Sequence, residues 1–224
     1  MKICLLYPDL LGTYGDGGNV LTLRERSVRR GLDVEVLSVA HGEEVPSADL
    51  YVLGGGEDGP QRLATELLRA STFSRRVEDG AKVFAVCAGL QILGNTFSVE
   101  GDDEFEGLAL VDCVTTRGPV RSVGDIGTLI DAKRLVGFEN HGGLTTLASN
   151  VAPLGSVVRG RGNDGVVDGY RTSSVWATYA HGPVLAQNPW FCDEILTWVL
   201  GVELSPLASI ADDLYDQRCR QVFA

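Results

Sequence analysis

Residues that build metal and disulfide sites are few in this sequence. It has only three histidines, and none has a close cysteine or histidine neighbour. Its five cysteines are an odd number at wide, irregular spacing. This spacing fits neither a disulfide framework nor a structural zinc site. We therefore expect no metal and no cofactor, and we expect a reducing, cytoplasmic location.

Long hydrophobic runs are also missing. The longest, Val83–Leu93, is interrupted by Gln91 and is too short to cross a bilayer. The N-terminal apolar run stops at Pro8, so we expect no signal peptide. Basic residues are outnumbered 19 to 30 by acidic ones, which gives a net charge of −11. A surface of this sign disfavours nucleic acid and anionic membranes as partners.

The order of the predicted elements indicates an α/β protein. The 224 residues have the length and composition of an ordinary globular chain, and we expect one domain over residues 1–224. Strand and helix signals alternate through the first hundred residues, which predicts a mainly parallel sheet with helices on both faces. Residues 105–161 are rich in β signals and predict an antiparallel extension or a set of long loops. We expect the acidic run Glu100–Glu106 to be a solvated loop.

The predicted strands are Lys2–Tyr7, Asp33–Val39, Asp49–Leu53, Lys82–Val86 and Ser174–Ala180. The predicted helices are Asn19–Gly31, Gln61–Ala70, one from Ala88 onward, Pro189–Leu200 and Pro206–Val222.

The sharpest chemical feature is Cys87, which follows an apolar strand and precedes Ala88 and Gly89. A nucleophile placed on a tight strand-to-helix turn has this pattern, because the crowded turn needs small neighbours. The N-terminus of the helix that follows would favour a thiolate. Taken alone, this segment fits two interpretations equally well: a catalytic nucleophile, or a buried structural cysteine at the end of a core strand.

A nucleophilic cysteine needs a base that lies elsewhere in the chain. His181 follows a predicted buried strand, at the sheet edge where α/β active sites gather. His141, beside a pair of glycines, is the rival base, and His41 begins a polar loop and is expected only to be solvated. Because a predicted buried strand precedes His181, we rank His181 first and His141 second as the candidate base.

The glycine triplet Gly54–Gly56 comes directly after another predicted strand. Without side chains, its backbone N–H groups can approach a ligand and form an oxyanion hole or an anion nest. A flexible turn is the plainer reading. The triplet is not a phosphate-binding P-loop, since the Gly-Lys-Ser/Thr ending is absent.

Together these residues resemble the class I (triad-type) glutamine amidotransferases, whose fold is flavodoxin-like. The resemblance implies that Cys87 attacks the side-chain amide of glutamine and that His181 is the base. It further implies an oxyanion hole from the backbone of Gly55 and Ala88. The implied substrate-binding residues are Arg121, with Arg117 as a nearby competitor, together with Gln91 and Gly56.

Longer motifs narrow the resemblance to the cobyric-acid-synthase-like branch of that family. They are Tyr14-Gly-Asp-Gly-Gly-Asn19, Gly137-Phe-Glu-Asn-His-Gly-Gly143 and Tyr179-Ala-His-Gly-Pro183. Within this branch the similarity is to glutaminase subunits that pair with a Mur-ligase-like, ATP-dependent partner of the MurT type. That pairing implies amidation of the D-glutamate in the lipid II stem peptide, and a place at the inner membrane face through the lipid-linked substrate.

Three other functions stay open at this point. The corrinoid (cobyrinate) amidotransferases belong to the same branch, although their glutaminase is usually fused to a synthetase. A non-catalytic binding subunit would keep the fold without hydrolysis. A cysteine peptidase of similar fold is the weakest option.

One position departs from the family pattern. Most members carry a glutamate two residues after the histidine, and here that residue is Pro183. Such an acid fixes the tautomer and direction of the imidazole ring. Asp16, Glu139 and Glu57 are possible substitutes, but none lies at the expected offset. We therefore expect that the partner supplies the carboxylate, or that the site works as a dyad.

Overall fold

The computed structural model describes residues 1–98 and 104–224 and contains two six-stranded sheets. The strands are β1 (Lys2–Leu6), β2 (Glu35–Val39), β3 (Leu50–Leu53), β4 (Lys82–Val86), β5 (Thr96–Ser98), β6 (Glu104–Glu106), β7 (Cys113–Ile130), β8 (Lys133–Leu147), β9 (Gly155–Arg159), β10 (Val167–Asp168), β11 (Tyr170–Arg171) and β12 (Val175–Thr178). The helices are α1 (Gly18–Val28), α2 (Asp58–Ala70), α3 (Phe73–Glu78), α4 (Ala88–Ile92), α5 (Val184–Gln187), α6 (Pro189–Leu200) and α7 (Ile210–Val222).

The first sheet has the order β11-β12-β4-β3-β1-β2. Its five strands from β12 to β2 pair in parallel, and only the edge strand β11 is antiparallel. β3 is buried along its whole length, as expected for a central strand of a parallel sheet covered on both faces. The α/β prediction is confirmed. The carboxyl ends of β1, β3, β4 and β12 meet at one edge, where α/β proteins bind their ligands.

The β-rich segment forms the second sheet, with the order β10-β9-β7-β5-β6 and β8 paired to β7. The long antiparallel β7–β8 hairpin dominates it, and its register breaks between Arg117 and Ser122. An antiparallel extension is therefore present, and one hydrophobic core includes residues of both sheets. Backbone hydrogen bonds in both directions between Phe138 of β8 and His181 join the hairpin to the first sheet.

The helix boundaries follow local signals. Pro189 begins α6, and Gly201 ends it in the left-handed conformation (φ 67°). The prediction that the last helix begins at Pro206 is wrong, because Ser209 and Asp212 form a capping box that starts α7 at Ile210. α3 and α5 were not predicted, since six and four residues are too short for a helical period to emerge.

The acidic run Glu100–Glu106, which we expected to be a solvated loop, is partly a strand. Within the acidic run, Glu104–Glu106 forms the strand β6 rather than a loop, and the remainder, residues 100–103, lies outside the described residues. None of the helices in the described part of the chain has the length and hydropathy needed to cross a membrane.

Candidate active site

Cys87 stands at the turn between β4 and α4. Its backbone has φ 52° and ψ −106°, a region that costs a residue with a Cβ some conformational energy. Its N–H donates to Thr178 O of the neighbouring strand β12 at 2.9 Å, which holds the turn in place. The predicted strand-to-helix elbow is therefore present, and Cys87 is only 5% exposed.

A cleft of about 480 Å³ opens beside this turn. Its walls come from the elbow, the glycine triplet and the β7–β8 hairpin. The lining includes Gly56, Cys87, Ala88, Gln91, Arg121 and His141. The fold thus brings Cys87 together with every residue predicted to bind glutamine.

His181 lies just beyond β12, after Tyr179 and Ala180, and is 1% exposed. Burial alone would lower its pKa, but hydrogen bonding and charge from Asp16 and Cys87 outweigh burial and raise the pKa to about 10. The ring of Tyr14 packs over His181 with ring centroids 4.6 Å apart. His181 is therefore the histidine that is coupled to Cys87.

The rival, His141, also lines the cleft, but its two ring nitrogens are occupied. Nδ1 lies 3.0 Å from the carbonyl oxygen of Gly143, and Nε2 lies 3.3 Å from Glu139 Oε2. The ring is stacked on Tyr179. His141 is thus held as part of the cleft wall. His41, expected to be merely solvated, forms an exposed pair with Asp9.

The Nδ1 atom of His181 lies 2.8 Å from Asp16 Oδ2. Asp16 is fully buried and belongs to the loop between β1 and α1. Of the other two acids considered, Glu139 pairs with His141, and Glu57 accepts a hydrogen bond from the Tyr14 hydroxyl. A carboxylate of this chain thus lies against the ring, and the expected contribution of a partner to the site stays a prediction. Asp16 was one of the three acids considered, but the sequence could not single it out because 165 residues separate the two side chains.

The predicted oxyanion donors need one correction. The N–H of Gly55 donates to Asp16 Oδ2 at 2.9 Å, so it is not free for a ligand. The N–H of Gly56 has no partner among the described residues, and Gly56 lines the cleft. The N–H of Ala88, in the first turn of α4, is likewise without an acceptor in the described chain. The buried carboxylate of Asp16 accepts the N–H of Gly55, the middle glycine of the triplet, and leaves the N–H of Gly56 to the cleft.

Two predicted substrate-binding side chains already make protein contacts. Arg121 lies in the register break of the hairpin, and it donates through Nε to Asn140 Oδ1 at 2.6 Å and through Nη2 to the Tyr14 hydroxyl at 3.0 Å. These bonds aim the guanidinium along the cleft wall. Gln91 is nearly buried, donates to the Tyr179 hydroxyl and accepts from Gln61. Gln91 therefore stiffens the floor of the cleft.

Comparisons with known proteins agree with this geometry. The family model described as "CobB/CobQ-like glutamine amidotransferase domain" matches residues 2–189. The chain is 35% identical over 195 residues to "Lipid II isoglutaminyl synthase (glutamine-hydrolyzing) subunit GatD" of Staphylococcus aureus, covering 84% of this chain and 79% of that protein. It is 31% identical over 209 residues to the protein of the same name from Streptococcus pneumoniae, covering 89% and 80%.

The fold is also found among solved structures. A structure described as "Crystal structure of glutamine amidotransferase" superposes with a TM-score of 0.63 at 20% identity, covering 89% of this chain and 99% of that one. This likeness concerns the fold alone. The match of the family model over most of the chain, and the two relatives above 30% identity, identify this chain as a member of the CobB/CobQ-like glutamine amidotransferase family.

Proposed function

We propose that this chain hydrolyses L-glutamine to glutamate and ammonia, with Cys87 as the nucleophile and His181 as the acid and base. The observation that carries the proposal is the pairing of a strained, cleft-lining cysteine with a buried histidine whose pKa Cys87 itself helps to raise. Such pairing supplies the base that a nucleophilic thiol needs to lose its proton.

The first half of the reaction transfers the thiol proton to His181 and forms a C–S bond. The Cys87 thiolate attacks the amide carbon of glutamine, and the carbonyl oxygen becomes an oxyanion. The N–H groups of Gly56 and Ala88 are the donors for it. The C–N bond then breaks while the His181 imidazolium gives its proton to the leaving nitrogen. Ammonia leaves, and a thioester remains on Cys87.

The second half of the reaction hydrolyses the thioester. Neutral His181 takes a proton from water as the water oxygen attacks the thioester carbon. The C–S bond breaks, the thiolate returns and glutamate leaves. Arg121 is the proposed partner of the substrate α-carboxylate, because a guanidinium on the cleft wall matches a carboxylate in shape and charge.

We further propose that the ammonia is used by an ATP-dependent, Mur-ligase-like partner of the MurT type. The acceptor would be the D-glutamate of the lipid II stem peptide. Support comes from the two relatives, whose names specify a subunit of lipid II isoglutaminyl synthase. Ammonia released into neutral water is protonated and no longer nucleophilic, so the partner should dock over the cleft. Work on a lipid-linked acceptor would place the pair at the inner face of the membrane.

Two of the other functions are less well supported. Corrinoid amidation shares the family, but the two relatives described above carry lipid II names. A non-catalytic subunit does not need Cys87 in a strained conformation or a buried histidine coupled to it.

The direct test is glutamate release from L-glutamine, with labelling of Cys87 by a glutamine-analogue electrophile. We expect both Cys87→Ala and His181→Ala to abolish release, and Cys87→Ala to abolish labelling. Cys219→Ala, which removes a thiol of α7 outside the cleft lining, should behave like the wild type. Glutamate release that survives Cys87→Ala would refute the proposed chemistry.

A further inference from the structure

A chain of buried polar side chains runs beneath the cleft and joins its floor to the β7–β8 hairpin. Gln61 Nε2 of α2 donates to Gln91 Oε1 of α4 at 2.9 Å, and Gln91 Nε2 donates to the Tyr179 hydroxyl at 3.1 Å. The Tyr179 oxygen lies 2.7 Å from Thr145 Oγ1, which lies 2.8 Å from Thr115 Oγ1. All five side chains are at most 8% exposed. Two helices and the hairpin are therefore connected through groups that are almost closed to solvent.

The hydrogen bonds of this chain run in one direction. Tyr179 has a single O–H, and because its oxygen accepts from Gln91, the O–H donates to Thr145. Burial raises the pKa of Tyr179 above its ordinary value, so the hydroxyl keeps the proton that it donates. Thr145 in turn donates to Thr115, its cross-strand partner in the hairpin. The Gln91 amide can therefore turn over only if the other hydrogen bonds of the chain reverse or break.

The hairpin also closes the space around the Gln91 amide. A Cβ at Gly143 of β8 would lie 2.6 Å from Gln91 Nε2 and 3.1 Å from the Tyr179 hydroxyl, so a glycine is needed where the backbone passes the amide. His141 stacks on the ring of Tyr179, with 3.9 Å between the ring centroids. Hydrogen bonds and packing therefore hold the amide in the same place.

The Gln91 end of the chain faces the cleft, since both Gln61 and Gln91 line it. A primary amide has two acceptor positions on its oxygen and two N–H donors on its nitrogen. The protein uses one of each on Gln91, so one acceptor position and one N–H remain for a ligand. Glutamine carries donors and acceptors and can use both. A Gln91 amide that is turned over would exchange the two positions and meet a donor with a donor.

We propose that Gln61 and Tyr179 are positioning residues for Gln91, and that they set the affinity for glutamine by fixing which atom of its amide donates and which accepts in the cleft. The proposal rests on the proposed function in taking glutamine as the ligand. Both residues act through Gln91, and neither takes part in the bond changes at Cys87.

The first test observes the Gln91 amide directly and needs no substrate. The sequence has five glutamines, so ¹⁵N labelling of their side-chain amides gives five pairs of signals, and Gln91→Ala identifies the pair of Gln91. We expect hydrogen exchange of the Gln91 amide to be far slower than that of the exposed Gln217. A wild-type Gln91 amide that exchanges as fast as Gln217 overturns the proposal, even if no variant folds.

Variants of the two partners show what holds the amide. Gln61→Met and Tyr179→Phe should each shift the Gln91 signals and speed their exchange. Tyr170→Phe is the matched control, because it removes another buried tyrosine hydroxyl, one that donates to Leu90 O at 2.7 Å, and it should leave the exchange of Gln91 unchanged. Equal exchange of Gln91 in the wild type and in both partner variants would contradict the proposal.

The second test separates binding from chemistry. Gln61→Met and Tyr179→Phe should each raise KM for glutamine by about three- to tenfold, as expected for the loss of about one hydrogen bond, and change kcat by less than about threefold. In a Gln91→Ala background neither substitution should raise KM further, because the residue that they position is gone. A merely structural role would lower kcat as well and would add to the effect of Gln91→Ala. Unchanged KM in both single variants, or full additivity with Gln91→Ala, would overturn the proposal.

Failure of the proposed function looks different. The wild type would then neither hydrolyse glutamine nor be labelled at Cys87, and calorimetry would detect no binding of L-glutamine to Cys87→Ala. The exchange measurement would still decide whether Gln61 and Tyr179 hold the amide of Gln91.

Discussion

Arg121 shows how a residue in irregular backbone reaches a functional cleft. It lies where the β7–β8 register breaks, and its bonds to Asn140 and Tyr14 hold the guanidinium at the cleft wall. We expect Arg121→Ala to raise KM for glutamine and to lower kcat/KM by roughly 10- to 100-fold, because a charge-assisted hydrogen bond contributes about 1.5–3 kcal/mol. Steady-state kinetics at varied glutamine concentration checks this.

The matched variant is Arg117→Ala, which removes the other arginine of the cleft. We expect a smaller rise in KM from it. If Arg117→Ala costs more binding than Arg121→Ala, the α-carboxylate is bound by Arg117 instead.

His181 also gives the protein a pH-dependent stability. Its pKa in the folded chain, about 10, is above the ordinary value of 6.5, so protonation stabilises the fold. This contribution is complete below about pH 6.5 and is lost as the pH rises through 10. We expect the free energy of unfolding to fall more steeply over this range in the wild type than in His181→Gln, by at most about 1.4 kcal/mol per pH unit.

Urea denaturation at three pH values measures how the free energy of unfolding changes with pH in the wild type and in His181→Gln. His41→Gln is the control, because His41 is exposed and should leave the wild-type slope intact. Equal slopes in the wild type and His181→Gln would show that folding does not raise the pKa of His181.

At the scale of the elements, Asp193 of α6 connects α1 to the C-terminal part of the chain. Its two oxygens accept hydrogen bonds from Arg26 at 2.6 Å and from Arg30 at 2.7 Å, and both arginine side chains are almost fully buried. We expect Asp193→Asn to lower the free energy of unfolding by about 3 kcal/mol, the low end of the cost of breaking a buried ion pair, because Asp193 is partly exposed. Chemical denaturation measures the change.

The control for that change is Asp213→Asn on α7, an exposed acid whose side chain forms no ion pair or hydrogen bond with the residues that the structure describes. It should alter stability by less than about 0.5 kcal/mol. If both variants lose the same stability, net charge rather than the ion pair is responsible.

At the scale of the whole molecule, the proposed transfer of ammonia to a ligase is open to an isotope test. Glutamine labelled with ¹⁵N at the side-chain amide is supplied to the chain and its Mur-ligase-like partner, together with an excess of unlabelled ammonium. We expect ¹⁵N in the amidated product in far higher proportion than in the mixed nitrogen pool, as determined by mass spectrometry. Product nitrogen that matches the pool would mean that ammonia passes through bulk solvent.

Most of the architecture could be predicted from the sequence because it depends on local patterns. Buried strands such as β4 read as continuous apolar runs, and glycines and prolines mark the ends of helices such as α6. Cys87 and His181 could be singled out as candidates because both lie just after such strands, and strand ends in a parallel sheet meet at one edge. The short helices α3 and α5 left no comparable pattern.

What the sequence by itself determined is therefore the order of the elements, the elbow at Cys87 and the sheet edge that gathers the chemistry. Only the tertiary structure decided which acid meets His181, and which glycine N–H remains free. Those two outcomes depend on one contact between the loop after β1 and the segment after β12, distant in sequence. A side chain's hydrogen-bond partner is set by distances of about 3 Å in space, and residue spacing carries that information only within a single element.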